Sequence, residues 1–290
     1  MAISHISVLG GDLRQAYAAE YLTSRSYSIT CFHAPDFPYS STIDVTDSFP
    51  QACENTTVFL MPSPFSQDGT YLFQKKIDLP PVTTEELVKQ IPNGSIIFFN
   101  GMSASIQIYL EEKNCILYNL ANLPDFGKEN ALLTAEGLLS EVIRYTPFSL
   151  QNTVTLLLGY GTCGSAIGTL FSSLGTRIYV LERDVEKQML AEQNGLLALS
   201  SSEKKTLLPH FDLIINTIPE TILTKDDLEL LPGNCHIFDI ASSPFGFSSD
   251  ITAEYALPYF RLPGLPGRFS PKTAGIALGK TIERMIHHGL

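Results

Sequence analysis

Short apolar runs alternate with longer amphipathic stretches along all 290 residues of this chain. That is the pattern of strands covered on both faces and separated by helices. Ile3–Leu9 is the first run; it ends at Gly10-Gly11, residues 12–24 carry helical apolar spacing, and Ser26–Phe32 is the next strand. Further strands are predicted at Val58–Met61, Ser95–Asn100 and Cys115–Asn119, with helices at Thr84–Gln90 and Ala104–Lys113 between them. Glu129–Tyr145 has the length of a linking helix, ended by Pro147, and Gln151-Asn152 is a polar entry into a second series. There strands are expected at Val154–Leu158, Arg177–Leu181, Asp212–Asn216 and Cys235–Ile240, and helices at Ser165–Leu174, Val185–Asn194 and Lys225–Leu231. A last helix, Lys272–His288, follows a proline-rich loop. Alternation of this kind predicts an α/β protein with two doubly wound parallel-sheet lobes.

The passage between strand and helix at Val154–Gly164, VTLLLGYGTCG, carries the first chemistry. Gly159 permits a tight turn, Gly161 removes the side chain that would hold the backbone away from a pyrophosphate, and Gly164 lets helix and strand approach. The helix start offers free N–H groups and a positive dipole end. Glu182 lies 23 positions after Gly159, close to the roughly 20-residue offset at which an acid meets ribose hydroxyls. An ordinary strand-turn-helix shares the glycine spacing, but here strand, turn, helix, second strand and acid are all in register. Residues 149–271 are therefore expected to be a Rossmann NAD(P)-binding domain. Its nucleotide contacts are expected from Gly159, Tyr160, Gly161, Thr162, Cys163, Gly164, Glu182, Arg183 and Asp184, and from strand-end residues Thr217, Ile218, Pro219, Asp239, Ala241, Pro263 and Gly264. Residues 1–148, with the linking helix, are expected to form a flavodoxin-like substrate domain, and 272–290 a helix returning to it. The first turn, Gly10-Gly11-Asp12, lacks the later glycines and places an acid where a phosphate would go.

In open α/β sheets ligands gather beyond the carboxyl ends of strands. In the first lobe those positions are Gly10–Gln15, Met61–Ser63 and Asn100–Ser103. The loop Leu262–Gly275, LPGLPGRFSPKTAG, has three prolines and three glycines and carries Arg268, Lys272 and Thr273. Arg268 and Lys272 are either carboxylate-binding cations or solvated loop charges. Arg14 either faces a ligand or is a surface arginine paired to Glu20 or Asp12. Glu136 stands among Thr134, Ala135 and Gly137 on the linking helix, where small neighbours let a ligand approach. The six histidines begin or flank strands or lie at the C-terminus, and none is an obvious general base. No ligand spacing suggests a metal.

Bulk properties narrow the partners. A net charge of −11 argues against nucleic acid and anionic membranes. The five cysteines are far apart with no C-x-x-C pair, as expected of isolated thiols in a reducing compartment. Cys163 is read as a small filler of the turn. The start, MAISHISVLGGDLRQ, is no signal peptide, and no run approaches 18 apolar residues, so a cytoplasmic protein is expected.

Several segments together resemble one family: GGDLRQ at Gly10–Gln15, Thr134-Ala135-Glu136-Gly137, LLLGYGTCG, INTIP at Ile215–Pro219, FDIAS at Phe238–Ser242, and LPGLPG with SPKTAG across Leu262–Gly275. The chain is similar, across both lobes, to the dipicolinate synthase A-subunit family of spore formers. The resemblance implies NADP-linked oxidation of dihydrodipicolinate during sporulation and a flavoprotein-like B-subunit as partner. It also implies the two-lobed fold of 2-hydroxyacid and alanine dehydrogenases, hinged around a cleft, and a homo-oligomer. The small dicarboxylate is expected to be held by Arg14, Lys272, Thr273 and backbone amides, with Glu136 as a further candidate catalytic residue. Two segments depart from the family pattern. Glu182-Arg183-Asp184 carries an acid that suits NAD better than a 2′-phosphate, and Ser242-Ser243-Pro244-Phe245-Gly246 lacks an expected arginine. Two alternatives stand beside this reading: a related dehydrogenase of another small acid, which ordinarily wants a cleft histidine, and a non-catalytic protein that only binds nucleotide.

Overall fold

The computed structural model describes residues 4–76, 78–242, 244–248 and 250–287. They divide into two compact units, Met1–Glu129 with Ser270–Leu290, and Asn130–Phe269. The first unit runs β1 (His5–Leu9), α1 (Leu13–Ser24), β2 (Ser28–Phe32), β3 (Ile43–Thr46), α2 (Phe49–Ala52), β4 (Val58–Leu60), α3 (Thr84–Gln90), β5 (Ile96–Phe99), α4 (Ala104–Glu112) and β6 (Ile116–Asn119). Its six described strands pair parallel in the order β3-β2-β1-β4-β5-β6. This differs from the flavodoxin-like expectation, whose order is 2-1-3-4-5. The short strand Ile43–Thr46, too brief and too polar to stand out in the sequence, adds an edge beyond β2 and makes the order that of a Rossmann sheet.

Strand periodicity sorts the apolar residues onto two faces. Ile6, Val8, Ile29, Cys31, Val58 and Leu60 pack with Ala18, Ala19 and Leu22 of α1. Leu9, Phe32, Phe59, Ile97 and Phe99 pack on the other side with Phe49, Leu87, Val88 and Leu110. Each fully buried Leu, Ile or Phe contributes about 1.5–3 kcal/mol relative to exposure, which is why these runs form central strands.

The long helix α5 (Pro124–Tyr145) begins five residues before the expected Glu129, at a proline that suits a first helical turn. The boundary between units lies inside this helix, after Glu129, rather than at the expected 148/149. Then come β7 (Val154–Leu158), α6 (Thr162–Ser173), β8 (Arg177–Leu181), α7 (Val185–Gln193), β9 (Leu197–Ala198), α8 (Ser201–Leu207), β10 (Leu213–Asn216), α9 (Lys225–Glu229), β11 (His236–Asp239), α10 (Ile251–Tyr255), β12 (Tyr259–Arg261) and α11 (Leu265–Phe269). The second sheet is parallel too, in the order β12-β11-β10-β7-β8-β9. Leu157, Ile178, Val180, Leu213 and Ile215 face Leu138, Val142, Ile167 and Phe171, whereas Leu156, Leu158, Ile214 and Ile237 face Leu208, Phe211 and Leu228.

The last helix, α12 (Pro271–His287), belongs to the first unit and packs on α1. A Cβ at Gly275 would stand 2.4 Å from the Arg14 carbonyl oxygen and 2.6 Å from the Tyr17 Cβ. Farther along, Tyr21 donates its hydroxyl hydrogen to Glu283 at 2.7 Å, and Tyr27 meets the His287 ring at 3.3 Å. The contacts advance together along both helices, so α1 and α12 run in the same direction with their N-terminal turns side by side. Parallel helix dipoles repel, and the small residues Ala18, Gly275 and Gly279 admit the close packing that offsets this. No described helix is long and apolar enough to cross a membrane.

Candidate functional site

In the second unit the turn from β7 into α6 has the geometry that the glycine spacing predicts. Gly159 has φ +89°, and a Cβ there would lie 2.6 Å from Thr217 Oγ1. At Gly164 a Cβ would stand 2.2 Å from the Gly159 carbonyl oxygen, so helix and strand touch backbone to backbone. Gly161 is different: it is the N-cap of α6, no side chain caps the helix, and nothing lies within 4 Å of a Cβ built on it. Uncapped N–H groups facing open space can take a phosphate group.

Glu182 ties this turn to the end of β8. Its carboxylate accepts the backbone N–H of Tyr160 at 2.8 Å, of Arg183 at 2.8 Å and of Asp184 at 3.1 Å. Burial opposes its ionisation, but the three N–H donors outweigh that and hold its pKa below the ordinary value. The Asp184 carboxylate caps α7, accepting the N–H of Glu186 at 3.0 Å. Arg183 is exposed, and its side chain has no partner among the described residues. Tyr160 departs from the expectation of a nucleotide contact, because its ring is buried in the core and its hydroxyl accepts from Asn194 at 3.0 Å. Thr162 is exposed at the helix start, while Cys163 is half-buried and burial raises its pKa.

Beyond β10 and β11 the picture is mixed. Thr217 is half-buried and donates to the Leu158 carbonyl at 2.8 Å, bracing the turn from below. Ile218 is half-buried and Pro219 exposed. Asp239, expected to contact nucleotide, is wholly buried, with its oxygens occupied by Asn216 Nδ2 (2.9 Å), the N–H of Ala241 (3.1 Å) and of Gly246 (3.0 Å), and the Tyr259 hydroxyl (3.1 Å). It organises the following loop and has no lone pair to spare, and Ala241 is buried with it. Pro263 and Gly264 are exposed. Ser243 lies outside the described residues; Arg261 lies over the Phe245 ring at 4.0 Å.

In the first unit the carboxyl ends of β1, β4 and β5 gather polar groups. Asp12 caps α1 and holds Arg14 bidentately, at 2.9 Å to Nε and 2.9 Å to Nη2. Arg14 also donates to the Ser63 carbonyl, and Ser63 Oγ accepts from Asn100 at 3.0 Å. Of the readings left open for Arg14, pairing with Asp12 is the one found, but in a buried position: Arg14 is 8 % exposed. Lys272 and Thr273 are exposed in the first turn of α12, one turn before Gly275 meets Arg14, and their side chains have no partner among the described residues. The structure thus brings Arg14, Lys272 and Thr273 to one end of the α1–α12 pair. Glu136 is exposed on α5 in the other unit, without a described partner.

Three features escape sequence reasoning. Arg268 is not a spare cation: it pairs with Glu141 of α5, whose side chain is wholly buried and whose Oε2 has no partner. Gln15 is buried beneath Gly11 with its Nε2 unpaired. His33, which flanks β2 in the sequence, is 3 % exposed, adopts φ +49° and stacks on Phe32 with centroids 4.1 Å apart. Only the Glu141 pairing left a trace in the sequence, as an acid one turn beyond Gly137 on the apolar side of α5.

Comparison with known proteins accords with this geometry. Residues 5–121 match the family described as the N-terminal domain of the dipicolinate synthase A-subunit. Over 287 residues the chain is 25 % identical to the dipicolinate synthase A-subunit of Bacillus subtilis (strain 168), covering 97 % of this chain and 95 % of that one. The crystal structure of the dipicolinate synthase A-subunit from Bacillus halodurans superposes with a TM-score of 0.87 at 23 % identity, covering 98 % of each chain. An L-alanine dehydrogenase shares the fold more distantly, with a TM-score of 0.63 at 14 % identity over 97 % of this chain and 89 % of that one. The two Rossmann-type sheets thus share the fold of these proteins, and the chain is similar along its length to dipicolinate synthase A-subunits, with residues 5–121 matching the family of their N-terminal domain.

Proposed function

We propose that this chain is the oxidoreductase component of a dipicolinate synthase: a cytoplasmic enzyme of spore-forming cells that oxidises dihydrodipicolinate to dipicolinate with a nicotinamide nucleotide. It would act beside a flavoprotein-like B-subunit. The observation that carries the nucleotide reading is the open space over Gly161 at an uncapped helix start, beside a turn held by Glu182.

The nucleotide, when bound, supplies the hydride acceptor at its nicotinamide ring. Gly161 and the first N–H groups of α6 would take the pyrophosphate, and Glu182 the adenosine ribose hydroxyls. Because Glu182 is held ionised, a 2′-phosphate beside it is repelled, which favours NAD over NADP. The exposed Arg183 compensates only in part, since it has no fixed partner to orient it.

The substrate is a dianion, and positioning it is most of the task, because aromatisation of the ring supplies driving force. Arg14 is charge-compensated by Asp12, so its role is directional: a buried guanidinium oriented by Asp12 and Ser63. Lys272 has no acidic partner among the described residues, and with Thr273 it stands at a helix start whose dipole also favours a carboxylate. The test is the purified chain with freshly formed dihydrodipicolinate and either NAD or NADP, followed at the reduced-nicotinamide absorbance band. Growth of that band with NAD supports the reading. Its absence despite tight nucleotide binding points instead to a non-catalytic, nucleotide-binding role.

A further inference from the structure

We infer that His33 is the proton acceptor of the first unit, an inference that rests on the oxidation proposed above. The side chain sits directly after β2, at the carboxyl edge of the sheet, where the N–H of Gly10 donates to the Phe32 carbonyl at 2.7 Å. A segment between β4 and α3 crosses this edge: Gly11 donates to the Phe73 carbonyl at 2.7 Å, and Lys75 to the Gly11 carbonyl at 2.9 Å. Gln74, between them, meets His33 Nδ1 through its Oε1 at 2.8 Å.

That contact sets the tautomer. Gln74 Nε2 points to the carbonyls of Lys76 at 3.3 Å and Leu79 at 3.4 Å, so Oε1 is its acceptor face and the imidazole must donate from Nδ1. The lone pair then resides on Nε2, which has no partner among the described residues and is not among the fully enclosed unpaired atoms. A histidine merely filling the core would not need this arrangement. Its left-handed backbone, φ +49°, is a conformation costly for most residues with a side chain, and buried strain of this sort persists where the surroundings impose it. Here Phe32 stacks on the ring and Gln74 pins it, leaving one basic nitrogen at the carboxyl edge of the sheet, where Asp12 and Arg14 follow the neighbouring strand β1.

The charged groups on the elements packed around His33 are mostly paired. Asp12 pairs with Arg14, and Asp47, after β3, pairs with Lys76 at 3.7 Å. Lys75 has no side-chain partner among the described residues. In the oxidation, one ring C–H bonding pair leaves as hydride to the nicotinamide, and a second ring hydrogen leaves as a proton. The electrons of that second bond enter the aromatic ring, Nε2 takes the proton, and the imidazolium releases it to water.

The variant that tests this is His33→Asn. Asparagine tolerates the left-handed backbone and its side-chain amide can still donate to Gln74 Oε1, so the Gln74 contact is kept while Nε2 and the ring stacked on Phe32 are removed. With wild-type NAD affinity and melting temperature as controls, kcat should fall about 10²–10⁴-fold, and the acid limb of the kcat profile against pH should disappear. Turnover and acid limb unchanged in the variant overturn the inference. A second arm needs no turnover: diethyl pyrocarbonate should carbethoxylate His33, located by mass spectrometry, and pyridine-2,6-dicarboxylate should shield it. Shielding without oxidation of dihydrodipicolinate refutes the reaction proposed above while keeping His33 at the dicarboxylate site. If neither shielding nor a kinetic effect appears, the assignment of His33 is wrong.

Discussion

Replacing Gly161 by alanine separates two roles that glycines play in the β7–α6 turn. Nothing lies within 4 Å of a Cβ at Gly161, and its φ of −77° is open to any residue. The folded state therefore meets no clash. Alanine is a poorer N-cap than glycine by a few tenths of a kcal/mol to about 1 kcal/mol, while the reduced freedom of the unfolded chain returns about 0.4–1 kcal/mol. The two nearly cancel, and the melting temperature should stay within about 3 °C of wild type. Nucleotide binding should not survive so well. A methyl group at the helix start displaces a phosphate oxygen from the amides, losing one charge-assisted hydrogen bond of about 1.5–3 kcal/mol. That corresponds to about 10- to 150-fold weaker binding. At Gly164 the same substitution puts a Cβ 2.2 Å from a backbone oxygen, and overpacking should cost about 1–3 kcal/mol of stability. Calorimetric titration with NAD and thermal melts of both variants read these outcomes. A Gly161→Ala protein that binds NAD as tightly as wild type would refute the assignment of this turn to the pyrophosphate.

The remaining expectations concern single side chains. Glu182→Gln should erode the preference for NAD: unit charges 4 Å apart interact by about 4 kcal/mol at an effective dielectric of 20, and halving this for solvent leaves about 30-fold in the NAD/NADP affinity ratio. An unchanged ratio by fluorescence titration defeats that argument. Because the pKa of Glu182 is lowered from 4.5, its tether of the turn should be fully present above about pH 4.5 and lost only as pH falls through the depressed value. NAD affinity should therefore be flat across neutral pH and weaken in acid; a loss centred near neutrality points to another group. Lys272→Ala, at an exposed position, should leave the melting temperature unchanged and raise KM for the dicarboxylate at least tenfold, whereas equal KM values would remove Lys272 from the site. Finally, Arg268→Ala leaves Glu141 as an uncompensated buried charge and should cost about 3 kcal/mol. Glu141→Leu leaves Arg268 half-exposed to solvent and should cost less than about 1 kcal/mol, and urea unfolding of the two variants measures the asymmetry.

Both sheets and the glycine turn after β7 are legible in the amino-acid order alone, because they depend on local patterns. Apolar runs of strand length make strands, Gly159 adopts the positive φ of the turn, and Gly164 clears the Gly159 carbonyl five residues before it. Short edge elements such as Ile43–Thr46 were illegible, since an edge strand buries too little to impose an apolar run. Which charges are free is settled only by three-dimensional packing. Arg14, Arg268 and Lys272 look alike in the chain, yet Asp12 neutralises the first, the buried Glu141 the second, and nothing described the third. Asp239 reads as a ligand group but spends its oxygens on its own loop, and His33 reads as a strand-flanking residue but exposes a single basic nitrogen. A side chain's chemistry depends on which partners fill its hydrogen-bonding capacity. Arg14 finds its partner two residues away, but the partners of Arg268 and His33 lie 127 and 41 residues away, which no local spacing records.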